Sequence, residues 1–358
     1  MSHAYRCFLL AALVAVPVAA QTAPRYAFTA VGLTSEKSLA QSISNAGHVT
    51  GRVVSKPFLY SHGVFTQLPS PTYGIGEGVN SSGQVVGGLS DGAGEGRAFL
   101  YSDGVMHEFA GPGSTANAIN EAGHVVGTVV RDGYAHAFLY RDGVIHDLGT
   151  LPDGRLSYAT AINNRGQIAG TAEYQWSEWG GGPEHAFLYE NDVMTDLGTL
   201  GGTNSWAFGI NERGQVVGAS QLPDGHPDGE HAFLHENGVM RDLGTLAPGS
   251  SSRARGINNL GQVVGSYSLN TGRSFIYHQR FGMRDLNAMV DPASGWFIQG
   301  AYSINDRQQI VGLGCKNGQY GAVLLNPVKA GAWVGSDQAE DEPARHEPAQ
   351  ENPPCPYG

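Results

Sequence analysis

A stretch of four short apolar runs, each closed by turn residues, recurs along this chain and limits its possible folds more than any other feature. In the copy at 185–220 the runs are AFLY (186–189), VMTDLG (193–198), AFGIN (207–211) and QVVGAS (215–220). Short runs rich in Val, Ile, Phe and Tyr and bounded by Gly, Asn and Asp are typical of β-strands. Each copy of the stretch therefore predicts four strands.

The number of copies predicts the architecture. The "Ile-Asn-x-x-Gly" turn occurs seven times with its variants, and so does the AFLY-type run. The chain begins with a run of the fourth type, at 30–33, and ends with an AFLY-type run, at 322–325, so every set of four is complete. We predict an all-β, seven-bladed β-propeller of four-stranded antiparallel blades. A linear solenoid is the alternative, but it usually has shorter units and polar capping repeats, which this sequence does not show.

The repeat also carries a family resemblance. Best preserved as HAFLY…DLGTLGG…AFGINERGQVVG, it resembles the bacterial HAF-type probable extracellular repeat over roughly residues 28–326. The resemblance implies secretion and tandem repetition and no particular chemistry. The end repeats depart from the pattern, since Ser44 stands for Asn, Lys56 for His and Gln308 for Gly.

Both ends of the chain differ in composition from the repeats. Residues 1–20 combine Arg6, an apolar run from residue 7 and small residues at 18–20, which predicts a secretory signal peptide. A membrane anchor is the alternative, disfavoured by the short run and by Pro17. The propeller is expected at 21–328, and the acidic, Pro-rich segment 329–358 is expected to be disordered. We expect a secreted or periplasmic monomer with no transmembrane anchor after cleavage.

The charge limits which partners are expected, and the cysteines limit which site chemistry is expected. The formal net charge is −11, and an acidic surface does not attract phosphate backbones, so nucleic acid is not an expected partner. Removing the signal leaves Cys315 and Cys355, which either pair in an oxidising compartment or remain free thiols. Neither has a zinc-type spacing to the other, and no nucleophile elbow, phosphate loop or His-Glu-x-x-His motif is present.

Residues that recur in every blade are expected to be structural, because a ligand site occurs once. The turn asparagines are interpreted as turn caps, and Gly149, Gly198 and Gly244 as close strand approaches or bulges. The histidines that precede the AFLY-type runs (His136, His185 and His231) are interpreted as hydrogen-bonded strand residues, in preference to metal ligands.

One surface stands apart from the repeats. Because strands alternate in direction, the two longer links of every blade open on one face, and the longest, after Gly170 and after Gly218, belong to blades four and five. They are expected to bring one set of aromatic and acidic residues to a single sector: Tyr174, Trp176, Glu178, Trp179, Trp206, Asp224, His226, Asp228 and Glu230.

This set favours a binding module that recognises glycans or a cell-surface partner, because aromatic faces stack on sugars and carboxylates accept their hydroxyl protons. The structural alternative is that Trp176 and Trp179 pack the insertion onto the disc. A second alternative is a polysaccharide hydrolase or lyase with acid and base drawn from Glu178, Asp224, His226, Asp228 and Glu230. A third is a purely structural repeat. Asp224 to Gly229 faintly resembles a calcium loop, and no other cofactor is expected.

Overall fold

The computed structural model describes residues 26–31, 37–90, 96–176, 181–268 and 272–328. The predicted signal peptide and acidic tail lie outside these residues, as do Glu178, Trp179 and Cys355. The described chain forms seven four-stranded antiparallel sheets, which confirms the seven-bladed propeller. Two 3-10 turns, Leu286–Met289 and Pro292–Ser294, interrupt the link into the last blade. In the described residues, no helix has the length and apolar character that a membrane crossing requires.

The first three blades follow one another along the chain. Blade 1 contains β2 (Ser38–Ile43), β3 (Val49–Val53), β4 (Lys56–Ser61) and β5 (Val64–Gln67). Blade 2 contains β6 (Tyr73–Val79), β7 (Val85–Ser90), β8 (Gly96–Ser102) and β9 (Val105–Glu108). Blade 3 contains β10 (Thr115–Ile119), β11 (Val125–Arg131), β12 (Tyr134–Arg141) and β13 (Val144–Asp147).

The remaining blades repeat the arrangement. Blade 4 contains β14 (Ser157–Ile162), β15 (Ile168–Glu173), β16 (Glu184–Glu190) and β17 (Val193–Asp196). Blade 5 contains β18 (Ser205–Ile210), β19 (Val216–Gln221), β20 (Glu230–Glu236) and β21 (Val239–Asp242). Blade 6 contains β22 (Ser251–Ile257), β23 (Val263–Ser268), β24 (Gly272–His278) and β25 (Gly282–Asp285).

Blade 7 closes the ring with strands from both ends of the repeat region. It contains β26 (Phe297–Ile304), β27 (Ile310–Lys316) and β28 (Gln319–Pro327), and β1 (Tyr26–Ala30) pairs with β28 as its outer strand. The run expected at 30–33 thus lies earlier, at 26–30. This pairing gives blade 7 its fourth strand and covers the free edge of β28.

A phenylalanine on the third strand fills the core of six blades. Phe58, Phe99, Phe138, Phe187, Phe233 and Phe275 are all fully buried. Phe187, for example, packs with Ile168 of its own blade and with Val126 and Ala137 of blade 3. Each blade therefore buries its faces against its neighbours, and the ring has no separate central core.

Antiparallel pairing gives the disc two unlike faces. The turns after the first and third strands open on one side, here called the turn face. The links after the second and fourth strands open on the other side, here called the long-loop face. The two-face prediction is therefore confirmed.

Candidate functional site

The repeated histidines of the long-loop face are fixed by aspartates of the same blade. The Nδ1 atoms of His136, His185 and His231 lie 2.9, 2.8 and 2.9 Å from Asp147, Asp196 and Asp242. Burial opposes ionisation of Asp196, but the hydrogen bonds from His185 and from the Gly198 amide outweigh it and lower the pKa of Asp196. These pairs confirm hydrogen-bonded strand histidines.

The glycines two residues after these aspartates have a different role from the one expected. The backbone N–H of Gly198 donates to Asp196 at 2.7 Å, and Gly198 has φ +73° with no atom within 4 Å of an added Cβ. Gly149 and Gly244 have the same geometry. The close-approach interpretation was wrong, because these glycines are needed for a left-handed turn that the aspartate caps.

The turn asparagines cap their own turns and also bridge the blades. Asn211 Oδ1 accepts from the amides of Arg213 and Gln215 at 3.0 and 3.1 Å, which confirms the cap. Its Nδ2 also donates to the Asn258 carbonyl of the next blade at 3.0 Å. Equivalent bonds join six of the seven junctions, and Ser44, which has no amide, stands where the seventh would start. The bridging role was not predicted, since it needs the spacing between blades.

Seven of the nine predicted long-loop residues are described, and four of them make contacts at three successive blade junctions. Trp176 contacts Arg155 in the link between blades 3 and 4. Trp206 Nε1 donates to Glu184 at 2.8 Å across the junction of blades 4 and 5. Tyr174 stacks on His185 within blade 4, with ring centroids 5.1 Å apart. Asp228 and Glu230 contact Gly249 and Arg253 at the junction of blades 5 and 6.

The Trp176 contact forms an ordered aromatic cluster. The Arg155 Cζ lies 3.4 Å from the Trp176 ring centroid, and Arg155 Nη1 donates to the Tyr134 hydroxyl at 2.8 Å. Tyr134 is exposed and Trp176 is half-buried. A guanidinium between two aromatic rings fixes their orientation without removing both from solvent.

A buried carboxylate that sequence reasoning missed supports this cluster. Glu173 is 2% exposed, and its two oxygens accept from the amides of Arg155 at 2.8 Å and Gly182 at 2.7 Å. It therefore ties the link that carries Arg155 to the long loop of blade 4. No local pattern identifies it, since its partners lie in separate segments.

The acidic loop of blade 5 is tied down in the same way. Asp228 lies 3.0 Å from His231 Nε2 and accepts from the Gly249 amide at 2.6 Å. Burial opposes ionisation, but these two hydrogen bonds and the nearby histidines lower the pKa of Asp228. Glu230 is ion-paired with Arg253, while Asp224 and His226 are exposed. Two of the proposed catalytic carboxylates, Asp228 and Glu230, thus hold the loop in place.

A second region, which was not predicted, lies on the propeller axis. Every inner strand has a register shift that leaves a residue unpaired three positions before the turn Asn or Ser, and the inner strand of blade 7 has a second shift at Gln299. Such bulges redirect a side chain. The seven bulge residues line one cavity of about 270 Å³, here called the axial channel: Gln41, Glu77, Asn117, Thr160, Phe208, Arg255 and Tyr302.

The two charged bulge residues are in unlike surroundings. Glu77 accepts a hydrogen bond from Gln41 Nε2 at 2.8 Å. Burial raises the pKa of Glu77, partly opposed by that bond and by the charge of Arg52. Arg255 lies with its Cζ 4.5 Å from the Phe208 ring centroid, and its buried Nε has no hydrogen-bond partner in the described residues. Burial, with the nearby charge of Arg253, lowers the pKa of Arg255, and the charges of Tyr302 and Glu230 oppose this only in part.

The raised pKa of Glu77 predicts how its removal changes stability with pH. The folded state favours protonated Glu77. The resulting contribution to the free energy of unfolding is therefore fully present below the ordinary pKa of 4.5 and is lost as the pH rises through the pKa of Glu77 in the folded protein. Glu77→Gln keeps an acceptor for Gln41 and removes the charge. We expect the variant to have a higher Tm than the parent at pH 7 and an equal Tm below pH 4.5, measured by calorimetry. A lower Tm at pH 7, or a gap that persists in acid, would contradict this assignment.

Cys315 on β27 is buried and disulfide-bonded. Its predicted partner Cys355 lies outside the described residues, so this pairing stays a prediction.

Comparison with known proteins supports the fold alone. No family model and no curated protein matches the chain. The β-propeller domain of the Trilobed protease from Pyrococcus furiosus is similar at 8% identity and TM-score 0.54, over 81% of this chain and 93% of that one. A puromycin-hydrolyzing peptidase from Mycobacterium tuberculosis matches at 11% identity and TM-score 0.53, over 85% of this chain and 54% of the peptidase. The extracellular domain of a putative hybrid two component system from B. thetaiotaomicron matches at 11% identity and TM-score 0.50, over 83% of this chain and 39% of that one. The chain thus spans less than two thirds of the last two proteins.

Proposed function

We propose that this chain is an exported, non-catalytic binding module that recognises a saccharide, free or on a cell-surface partner, through the long-loop face around blades 4 and 5. The observation that carries the proposal is the cluster of Trp176, Arg155 and Tyr134. Arg155 covers one face of Trp176, so the opposite face is the one that would stack on a sugar ring, and the guanidinium beside it would donate hydrogen bonds to the hydroxyls. Preorganisation lowers the entropic cost of binding.

An internal comparison distinguishes this cluster from the scaffold. Blades 1 and 2 contain a similar pair, in which Arg52 Nη1 donates to the Tyr73 hydroxyl at 2.9 Å. That pair holds no tryptophan among its described contacts. An arginine–tyrosine bond between neighbouring blades therefore also forms without a tryptophan, and Trp176 is the addition that a ligand would use.

The contacts of the blade 5 loop favour binding over hydrolysis. A glycosidase needs a general acid with a raised pKa. The pKa of Asp228 is lowered and Glu230 is ion-paired, so neither fits that role.

The test is a glycan and polysaccharide array with residues 21–358. Trp176→Ala is expected to weaken binding at least about tenfold, as for a central aromatic anchor. Tyr73→Ala, which breaks the Arg52–Tyr73 pair, is expected to bind like the parent.

Three outcomes would contradict the proposal. The folded parent binds no saccharide, or Trp176→Ala binds as tightly as the parent. In the third, the parent cleaves a polysaccharide and Asp228→Asn abolishes cleavage, which would favour the hydrolase alternative.

A further inference from the structure

The axial channel is the place where the repeat departs most from itself. The residues around each bulge recur from blade to blade, with small or glycine residues before it and Ile or Val two positions after it. The bulge residue itself is different in every blade. A position that served only to form the scaffold would be expected to repeat like its neighbours.

Arg255 supplies the first requirement for a ligand. A buried guanidinium nitrogen ordinarily has a hydrogen-bond acceptor, because a buried donor that is left unpaired is costly. Arg255 forms no ion pair or hydrogen bond with any residue that the structure describes, and its guanidinium rests against Phe208. Tyr302, half-buried, lines the same cavity. This side of the channel presents a cation between aromatic walls.

Glu77 supplies the second requirement on another part of the ring. It belongs to blade 2, whereas Arg255 belongs to blade 6, three blades away by the shorter path around the ring. Its polar partner is Gln41 and not Arg255. Two opposite charges thus line one channel without neutralising each other.

The turn-face rim of the channel excludes a simple anion. Three carboxylates line this end of the cavity: Glu121, Glu212 and Asp306. Each accepts a hydrogen bond from a backbone N–H of the preceding blade. Three carboxylates at the rim repel a ligand with negative charge alone. A ligand that also carries a cationic group is compatible with both the rim and Glu77.

The volume restricts the ligand further. About 270 Å³ lies just below the roughly 300–1,000 Å³ of pockets that hold drug-sized molecules. The occupant is therefore small, and its two charges must be several bonds apart to reach both blades.

We propose that the axial channel binds a small zwitterion with separated charges, of the ω-amino acid or dipeptide class, with its carboxylate on Arg255 and its ammonium group on Glu77. This site is distinct from the long-loop face, so the inference goes beyond the proposed function and does not depend on it. Arginine forms paired hydrogen bonds to a carboxylate in a fixed plane, which gives the carboxylate end its orientation.

The test is calorimetric titration of residues 21–358 with a matched set of probes. 6-Aminohexanoate and glycylglycine are expected to bind, and glycine, hexanoate and hexylamine to bind at least tenfold more weakly. Arg255→Gln and Glu77→Gln are each expected to weaken the binding of 6-aminohexanoate at least tenfold. Arg241→Gln, an exposed arginine on β21, is the control and is expected to bind like the parent.

The folded state of the variants is checked by thermal unfolding. Arg255→Gln removes a partly buried charge whose Nε has no hydrogen-bond partner in the described residues, so its ligand-free Tm is expected to be at least that of the parent. If it fails to fold, Arg255→Lys retains the charge without the planar fork and is expected to weaken binding instead. Binding of neither 6-aminohexanoate nor glycylglycine to the parent, equal binding of hexylamine, or unchanged affinity in a folded Arg255 variant would overturn the proposal.

Discussion

Gly218→Ala is expected to destabilise the propeller by about 3 kcal/mol or more. A Cβ at Gly218 would overlap the backbone carbonyl oxygen of Trp206 on the inner strand and would lie 2.7 Å from the Phe233 ring. A side chain in the way can rotate, but a carbonyl inside a β-ladder cannot move without breaking the strand pairing. Thermal or denaturant unfolding measures the loss, and the Tm is expected to fall by on the order of 10 °C.

Gly111→Ala is the matched control. Gly111 does not have a positive φ, and no atom lies within 4 Å of an added Cβ. Its substitution is expected to change stability by less than about 0.5 kcal/mol. Equal Tm values for the two variants would show that the glycine of the second strand is not required by close packing.

The clash at Gly218 reflects a pairing that defines the blade. In six blades a second-strand glycine is the cross-strand partner of the third-strand phenylalanine, as Gly218 is of Phe233 and Gly170 of Phe187. The ring lies over the glycine, and the inner-strand carbonyl approaches from the other side. An aromatic ring that covers a glycine compensates for the missing side chain.

The repeat made the architecture predictable, but not the role of each glycine. Blade number and strand types follow from counting turns and apolar runs, because each run is a complete strand with its own boundary signals. Gly198 and Gly218 both follow apolar runs, and the sequence alone assigned close approach to the wrong one. The difference lies in their partners: Gly198 turns toward Asp196 in its own loop, whereas Gly218 faces Trp206 and Phe233 on neighbouring strands.

The candidate sites were predictable only in part, for a related reason. Loop length identified Trp176, but its partner Arg155 comes from a different link, which only the closed ring brings near. The axial residues were missed, although a signal existed. Three positions before each turn Asn or Ser, an otherwise regular repeat places Gln, Glu, Asn, Thr, Phe, Arg and Tyr in succession. Irregularity at a fixed repeat position is evidence of function, while loop length by itself is also consistent with packing.

Asn211→Ala is expected to destabilise the protein by about 3 kcal/mol, because one buried amide serves two blades. Asn211 is 4% exposed and its side chain makes four hydrogen bonds, to the amides of Arg213 and Gln215, the Gln215 side chain and the Asn258 carbonyl. Each is worth about 1 kcal/mol net, and the substitution leaves buried partners unpaired. Denaturant unfolding at constant m-value measures the loss.

Ser44 provides a control, in which little stability is lost, and a second test, in which stability is gained. Its hydroxyl accepts only the His48 amide among the described residues, at 3.2 Å, so Ser44→Ala is expected to cost about 1 kcal/mol or less. Ser44→Asn places an amide where it can reach the Asn80 carbonyl and add the seventh bond of the ring, and is expected to raise the Tm. Equal losses in Asn211→Ala and Ser44→Ala, or a lower Tm in Ser44→Asn, would mean that the asparagines act only as caps of their own turns. The bridges would then contribute nothing to holding one blade against the next.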